Sequence, residues 1–123
     1  MIAVGAGCSC GCAAEELLAL VDATLAEANV DRAQVAVLAS IDVKADEPGL
    51  LETARARDWP LELHAAAALR GVEVPAPSAL VARHVGTPSV AEAAALLSAA
   101  PGRLLVGKRR SASATCAIAE RDR

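Results

Sequence analysis

A chain of 123 residues has room for one hydrophobic core, since a split leaves two pieces too small to bury enough surface, and residues 1–123 are expected to form one domain. It is 54% hydrophobic but only 1% aromatic, so the core must consist of Ala, Val, Leu and Ile around the single aromatic, Trp59, which calls for close helix packing. A formal net charge of −3, no basic segment ahead of Ile2 and no apolar run near the roughly 20 residues that span a bilayer argue against nucleic-acid and membrane partners, leaving a cytoplasmic protein as the expectation.

Residues 2–6 predict a short buried strand ending in a turn at Gly5-Ala6-Gly7, and Ala13 to Ala28 carries helical spacing with Glu15, Glu16, Asp22 and Glu27 interspersed. Gln34 to Ala39 reads as a second buried strand, stopping at Ser40-Ile41-Asp42-Val43-Lys44, and Pro48 opens a helix reaching about Arg57. Leu61-Glu62-Leu63 predicts a short strand, Ala65 to Leu69 a short helix, and Val74-Pro75-Ala76-Pro77 an extended linker. The turn Gly86-Thr87-Pro88-Ser89 launches a helix over Val90 to Ala100, ended by Pro101-Gly102. Leu104 to Gly107 and Ala112 to Ala119 are the last strands. The link between them, Lys108-Arg109-Arg110-Ser111, is shorter than the crossover of about a dozen residues that a parallel pair requires, so they form an antiparallel hairpin. The fold class is therefore α/β: a three-layer α/β/α sandwich around a mainly parallel sheet, made mixed by its C-terminal hairpin.

Ligands of open α/β sheets collect at the carboxyl ends of the strands, where helix amino termini point their N–H groups outward. Three polar clusters fall there: Gly5 to Gly11, Ser40 to Glu47, and Gly86 to Ser89. Each also has a purely structural reading, as turn glycines or as caps; Thr87 before Pro88 suits a helix cap, and Ser89 with Glu92 suits a capping box. Lys44 and Lys108 are the only lysines, each at a predicted loop, and with the helix termini they make a pocket suited to a multiply carboxylated ligand. The glycine run does not complete a dinucleotide fingerprint, because Cys10 stands where the third glycine belongs, and no phosphate-binding Gly-Lys-Ser/Thr follows. Cys8, Cys10 and Cys12 are candidate soft-metal ligands, but their alternate spacing is not the usual knuckle and a fourth ligand must come from Cys116, His64 or His84. No metal is expected. Asp42, Glu47 and Glu92 are the candidate acid or base groups, and no nucleophile elbow is present.

Taken in order, these pieces resemble the CobE/CbiG carboxy-terminal family of cobalamin biosynthesis. The matching stretches are Gly5-x-Gly7-Cys8-x-x-Gly11 with Ala14-Glu15-Glu16, Ser40-x-Asp42-x-Lys44-x-x-Glu47-x-x-Leu50-Leu51, Val74-Pro75-x-Pro77-Ser78, Val85-Gly86-Thr87-x-Ser89-Val90-Ala91-Glu92-Ala93-Ala94, Lys108, and Ala114-Thr115-x-Ala117-Ile118-Ala119. One departure follows Cys8, where Ser9 and Cys10 stand in place of the family's frequent basic residue. The resemblance implies a protein that binds or carries a corrin-ring intermediate of the precorrin or hydrogenobyrinic-acid type. The ligand set would be Gly5, Gly7, Cys8, Gly11, Ser40, Asp42, Lys44, Gly86, Thr87, Ser89 and Lys108. The alternatives are a hydrolase that opens the lactone of a (cobalt-)precorrin-5A, with Asp42, Glu47 or Glu92 as base, and a cysteine-bound metal module. Because Met1 leads directly into the first strand, a standalone protein is expected rather than one with an amino-terminal hydrolase domain. No resident cofactor is implied, any cobalt arriving with the corrinoid, and other enzymes of the pathway are the implied protein partners.

Overall fold

The computed structural model describes residues 1–8, 11–42, 46–72 and 90–121. Ile2–Cys8 forms β1, Ala14–Ala28 α1, Val35–Ile41 β2, Pro48–Arg57 α2, Leu61–His64 β3, Ala66–Arg70 α3, Val90–Ser98 α4, Gly102–Arg110 β4 and Ala114–Arg121 β5. The strands make one sheet in the order β3-β2-β1-β5-β4. β1 pairs in parallel with β2, and β2 with β3, whereas β5 is antiparallel to both β1 and β4. Four strands thus point one way and β5 alone is reversed, so the sheet is mixed and mainly parallel in direction. The expected hairpin does more than extend the edge: its second strand inserts beside β1, with Gly5 opposite Ala117 and Cys8 opposite Ala114.

Successive strand residues face opposite sides, and here each side receives its own pair of helices. Ile2, Val4, Ala6 and Cys8 of β1 point to the α1–α2 side, joining Leu17, Val21, Leu25, Leu38, Leu50, Trp59 and Ile118 in the larger core cluster. Ala3 points to the α3–α4 side, which is packed by Val37, Ala39, Leu69, Ala93, Ala94, Ala95, Leu96 and Ala99. Trp59 stays buried by donating its indole N–H to the Arg32 carbonyl at 3.3 Å. Helices α1 and α2 both end on residues in the left-handed conformation, Asn29 and Asp58, each with φ of 58°.

Two expectations require correction. Gly5-Ala6-Gly7 is not a turn: both glycines lie within β1, and at Gly5 the glycine is required because α4 crosses so close that a Cβ would press into the Ala91 carbonyl and lie 2.8 Å from the Ala95 nitrogen. The turn comes later, at Gly11, with φ of 82°. Lys108 is not in a loop either, since β4 continues to Arg110 past a register shift between Val106 and Arg109, and the hairpin link shrinks to residues 111–113. The linker expected at 74–77 and the turn at 86–89 lie outside the described residues. Among those described, no helix is long and apolar enough to cross a membrane.

Candidate functional site

The helices α1, α2 and α4 all begin at the edge where β1, β2 and β4 end. Gly49, in the first turn of α2, backs onto the Cys12 carbonyl just ahead of α1, and Val90, the first residue of α4, lies beside Gly7 near the end of β1. Neither Ala13 nor Glu47, the cap positions of α1 and α2, caps its helix with a side-chain hydrogen bond, so both helices present N–H groups at this edge.

On one flank the chain braces itself around Gly11. Its N–H donates to Glu47 Oε1 at 2.9 Å, and Glu47 is only 8% exposed, so this carboxylate ties the turn after β1 to the start of α2. Ser40 is fully buried, and its hydroxyl donates to the Ala6 carbonyl at 2.7 Å, pinning the end of β2 to β1. Asp42 is exposed at the end of β2. Lys44, Gly86, Thr87, Ser89 and Cys10 lie outside the described residues.

On the other flank a depression of about 400 Å³ opens between Gly7 and Cys8 of β1 and the hairpin from Arg110 to Thr115. Glu16, in the first turn of α1, shapes it by accepting hydrogen bonds from the Ser111 hydroxyl and from the Ser113 N–H, the latter at 2.6 Å. The Ser111 hydroxyl, and after it the Ser113 N–H, hold the Glu16 carboxyl below its usual value. Gly7 bounds the depression because a Cβ there would meet Thr115 Oγ1 at 2.7 Å. Glu92 of α4 accepts from the Lys108 N–H at 3.0 Å, fixing the irregular stretch of β4, while Lys108 itself is exposed. The next residue, Arg109, is clamped by both oxygens of Glu27 and keeps that carboxyl below its usual value, chiefly through the hydrogen bonds. Arg110, Ser111, Ser113 and the anchor Glu16 were missed as site residues; the signals for them were a Ser-x-Ser turn after a basic run and, for Glu16, its place in the Ala14-Glu15-Glu16 stretch.

The cysteines Cys8, Cys12 and Cys116 are all buried. Burial pushes the Cys116 thiol up to about 12, against a smaller opposing hydrogen bond from Thr24, so it stays protonated in the core. Among the described residues no three His, Cys, Asp or Glu side chains are grouped to hold a metal. His64 lies 2.8 Å from Ser98 Oγ, which also donates to Glu62. The same His64 nitrogen also lies 3.3 Å from Glu62 Oε1, so one imidazole nitrogen faces both serine and carboxylate, the serine is buried, and the order nucleophile, base, orienting acid is not formed.

With this geometry in view, residues 2–119 match the model of a family described as "Cobalamin synthesis G C-terminus". The chain belongs to that family. It is 37% identical to Protein CobE of Sinorhizobium sp. over 123 residues, covering 96% of this chain and 79% of that protein. It is 32% identical to the cobalt-precorrin-5A hydrolase of Priestia megaterium over 119 residues, covering 97% of this chain but 32% of that one, so it spans about a third of the hydrolase's length. A crystal structure of CobE, a protein from the cobalamin (vitamin B12) biosynthetic pathway, superposes with a TM-score of 0.82 at 41% identity, over 97% of this chain and 89% of that one. The fold is that of the family, and the chain is a cobalamin-biosynthesis protein of the CobE/CbiG type.

Proposed function

We propose that this domain binds and carries a corrin-ring intermediate, of the precorrin or hydrogenobyrinic-acid type, at the carboxyl edge of its sheet. The observation that carries the reading is the open depression beside the ends of β1 and β4, where small side chains meet the cationic Arg110, with Lys108 exposed two positions earlier on β4. A corrin intermediate offers an apolar macrocycle ringed by carboxylates, which suits an edge with small-residue walls, basic side chains and uncapped helix N–H groups. Lys44, which follows β2 in sequence, is the further cation in this reading.

Binding is favoured over hydrolysis because two of the three candidate bases have structural duties. Glu47 holds the Gly11 N–H and Glu92 the Lys108 N–H, and an acceptor engaged in this way is poorly placed to take a proton from water. Any cobalt belongs to the ligand, and pathway enzymes are the proposed recipients of the carried intermediate. Titration of the purified chain with hydrogenobyrinic acid, followed by absorbance and calorimetry, tests the reading. Saturable binding weakened by Lys44→Ala and by Lys108→Ala is expected, whereas folded protein that does not bind contradicts it. Conversion of a lactone-bearing precorrin-5A by the chain alone moves the reading to hydrolysis.

A further inference from the structure

We infer that the β4–β5 hairpin carries a carboxylate subsite in which Arg110 is the pairing cation and Glu16 the positioning residue, a proposal that rests on the corrinoid reading above. The neighbouring arginine is already engaged, since Arg109 is held by both oxygens of Glu27. Arg110 borders the depression and, among the described residues, its guanidinium has neither an ion-pair partner nor a hydrogen bond.

The surrounding groups do not compete for that role. The Ser111 hydroxyl donates to Glu16, and the Thr115 hydroxyl donates to the Gly7 carbonyl at 3.4 Å, so both are turned to holding the turn. The charge of Glu16 is met by the Ser111 hydroxyl and the Ser113 N–H, which fixes the hairpin against α1 and with it the root of the Arg110 side chain. A guanidinium fork matches a carboxylate through two parallel hydrogen bonds, a geometry that a lysine does not reproduce. Arg110 and Lys108 then address different acid groups of one ligand, and the hairpin sets its orientation.

The test uses the full chain with hydrogenobyrinic acid as probe, melting temperatures confirming that each variant is folded. Arg110→Gln should weaken binding about tenfold and flatten its salt dependence, as expected when a hydrogen bond to a charged group is lost. Arg55→Gln, in the last turn of α2 and far from the hairpin, should leave affinity unchanged. Esterifying the probe's carboxyls should abolish the difference between wild type and Arg110→Gln. Glu16→Ala should also weaken binding, and Glu16→Gln should restore it, because the amide oxygen still accepts from Ser111 and Ser113. Wild-type affinity in Arg110→Gln, or an equal loss in Arg55→Gln, overturns the subsite while leaving the corrinoid reading intact. Wild-type affinity in Glu16→Ala removes Glu16 from the proposal, and no binding by the folded wild type overturns subsite and reading together.

Discussion

The two faces of the sheet are packed by opposite means. Against α1 and α2 lie long aliphatic side chains, with Leu17, Leu38, Leu50 and Ile118 completely buried. Against α4 lies a surface of Ala3, Ala39 and Ala119 with Gly5, met by Ala91, Ala93, Ala94, Ala95 and Ala99 of the helix and its end. The first face gains stability from apolar area, about 1.5–3 kcal/mol for each fully buried large side chain. The second gains it from proximity, since small residues let helix and strand backbones approach within contact distance. A chain almost without aromatic residues can thus build two cores. The close one also fixes the first turn of α4, hence Glu92, against the ends of β1 and β4 where the proposed site lies.

The comparison is open to breaking from both sides. On the aliphatic face, Leu38→Ala should cost about 4 kcal/mol in chemical denaturation, the lost transfer energy plus an unfilled cavity. A loss below about 1 kcal/mol would mean that this face collapses freely and is not tightly packed. On the small-residue face the costly change runs the other way: Gly5→Ala should destabilise by about 3 kcal/mol, because α4 must move away from the added methyl. If that variant is as stable as wild type, the close approach does not exist in solution. Between the two faces, Ser40→Ala removes the bond to the Ala6 carbonyl and should cost about 1 kcal/mol.

The smallest expected effect is local and depends on pH. The Glu16 carboxyl titrates lower in the folded chain than in the unfolded one, held down first by Ser111 and then by the Ser113 N–H. Its anchoring is therefore complete above the ordinary glutamate range and is lost as pH falls through the lower, folded-state value. Hydrogen exchange at the Ser113 amide should accelerate, relative to the intrinsic rate, on going from about pH 6 to about pH 3, and Glu16→Gln should lack this acid dependence. The same dependence in both proteins would assign the loosening to another group.

Much of this architecture was legible in the sequence because its signals are local. Helical spacing from Ala13, Pro48 at the start of α2 and Pro101-Gly102 after α4 placed the helices nearly where they stand, and the short link after Gly107 required the hairpin. What was not legible depends on tertiary contacts. Gly5 and Gly7 looked like turn residues, yet Gly5 owes its presence to a helix some eighty-five positions later in the chain. No sequence rule places β5 between β1 and β4, and that insertion is what carries Arg110 to Thr115 up to Gly7 and Cys8. Family motifs brought out Lys108 and Thr115, but Glu16 acquires its role only through bonds to residues nearly a hundred positions away. Glu47 and Ser40 belong to recognised motifs, and the structure adds that each supports a neighbouring strand or turn.

The most direct test of the central claim, that the carboxyl edge of the sheet is where a corrinoid binds, is to map amide chemical-shift changes in the isotope-labelled chain as hydrogenobyrinic acid is added. The account predicts saturable changes concentrated at Gly7, Cys8, Gly11 and Lys108 to Thr115, with Asn29, Asp58 and Gly102 at the opposite edge unmoved. Changes centred on that opposite edge would contradict it.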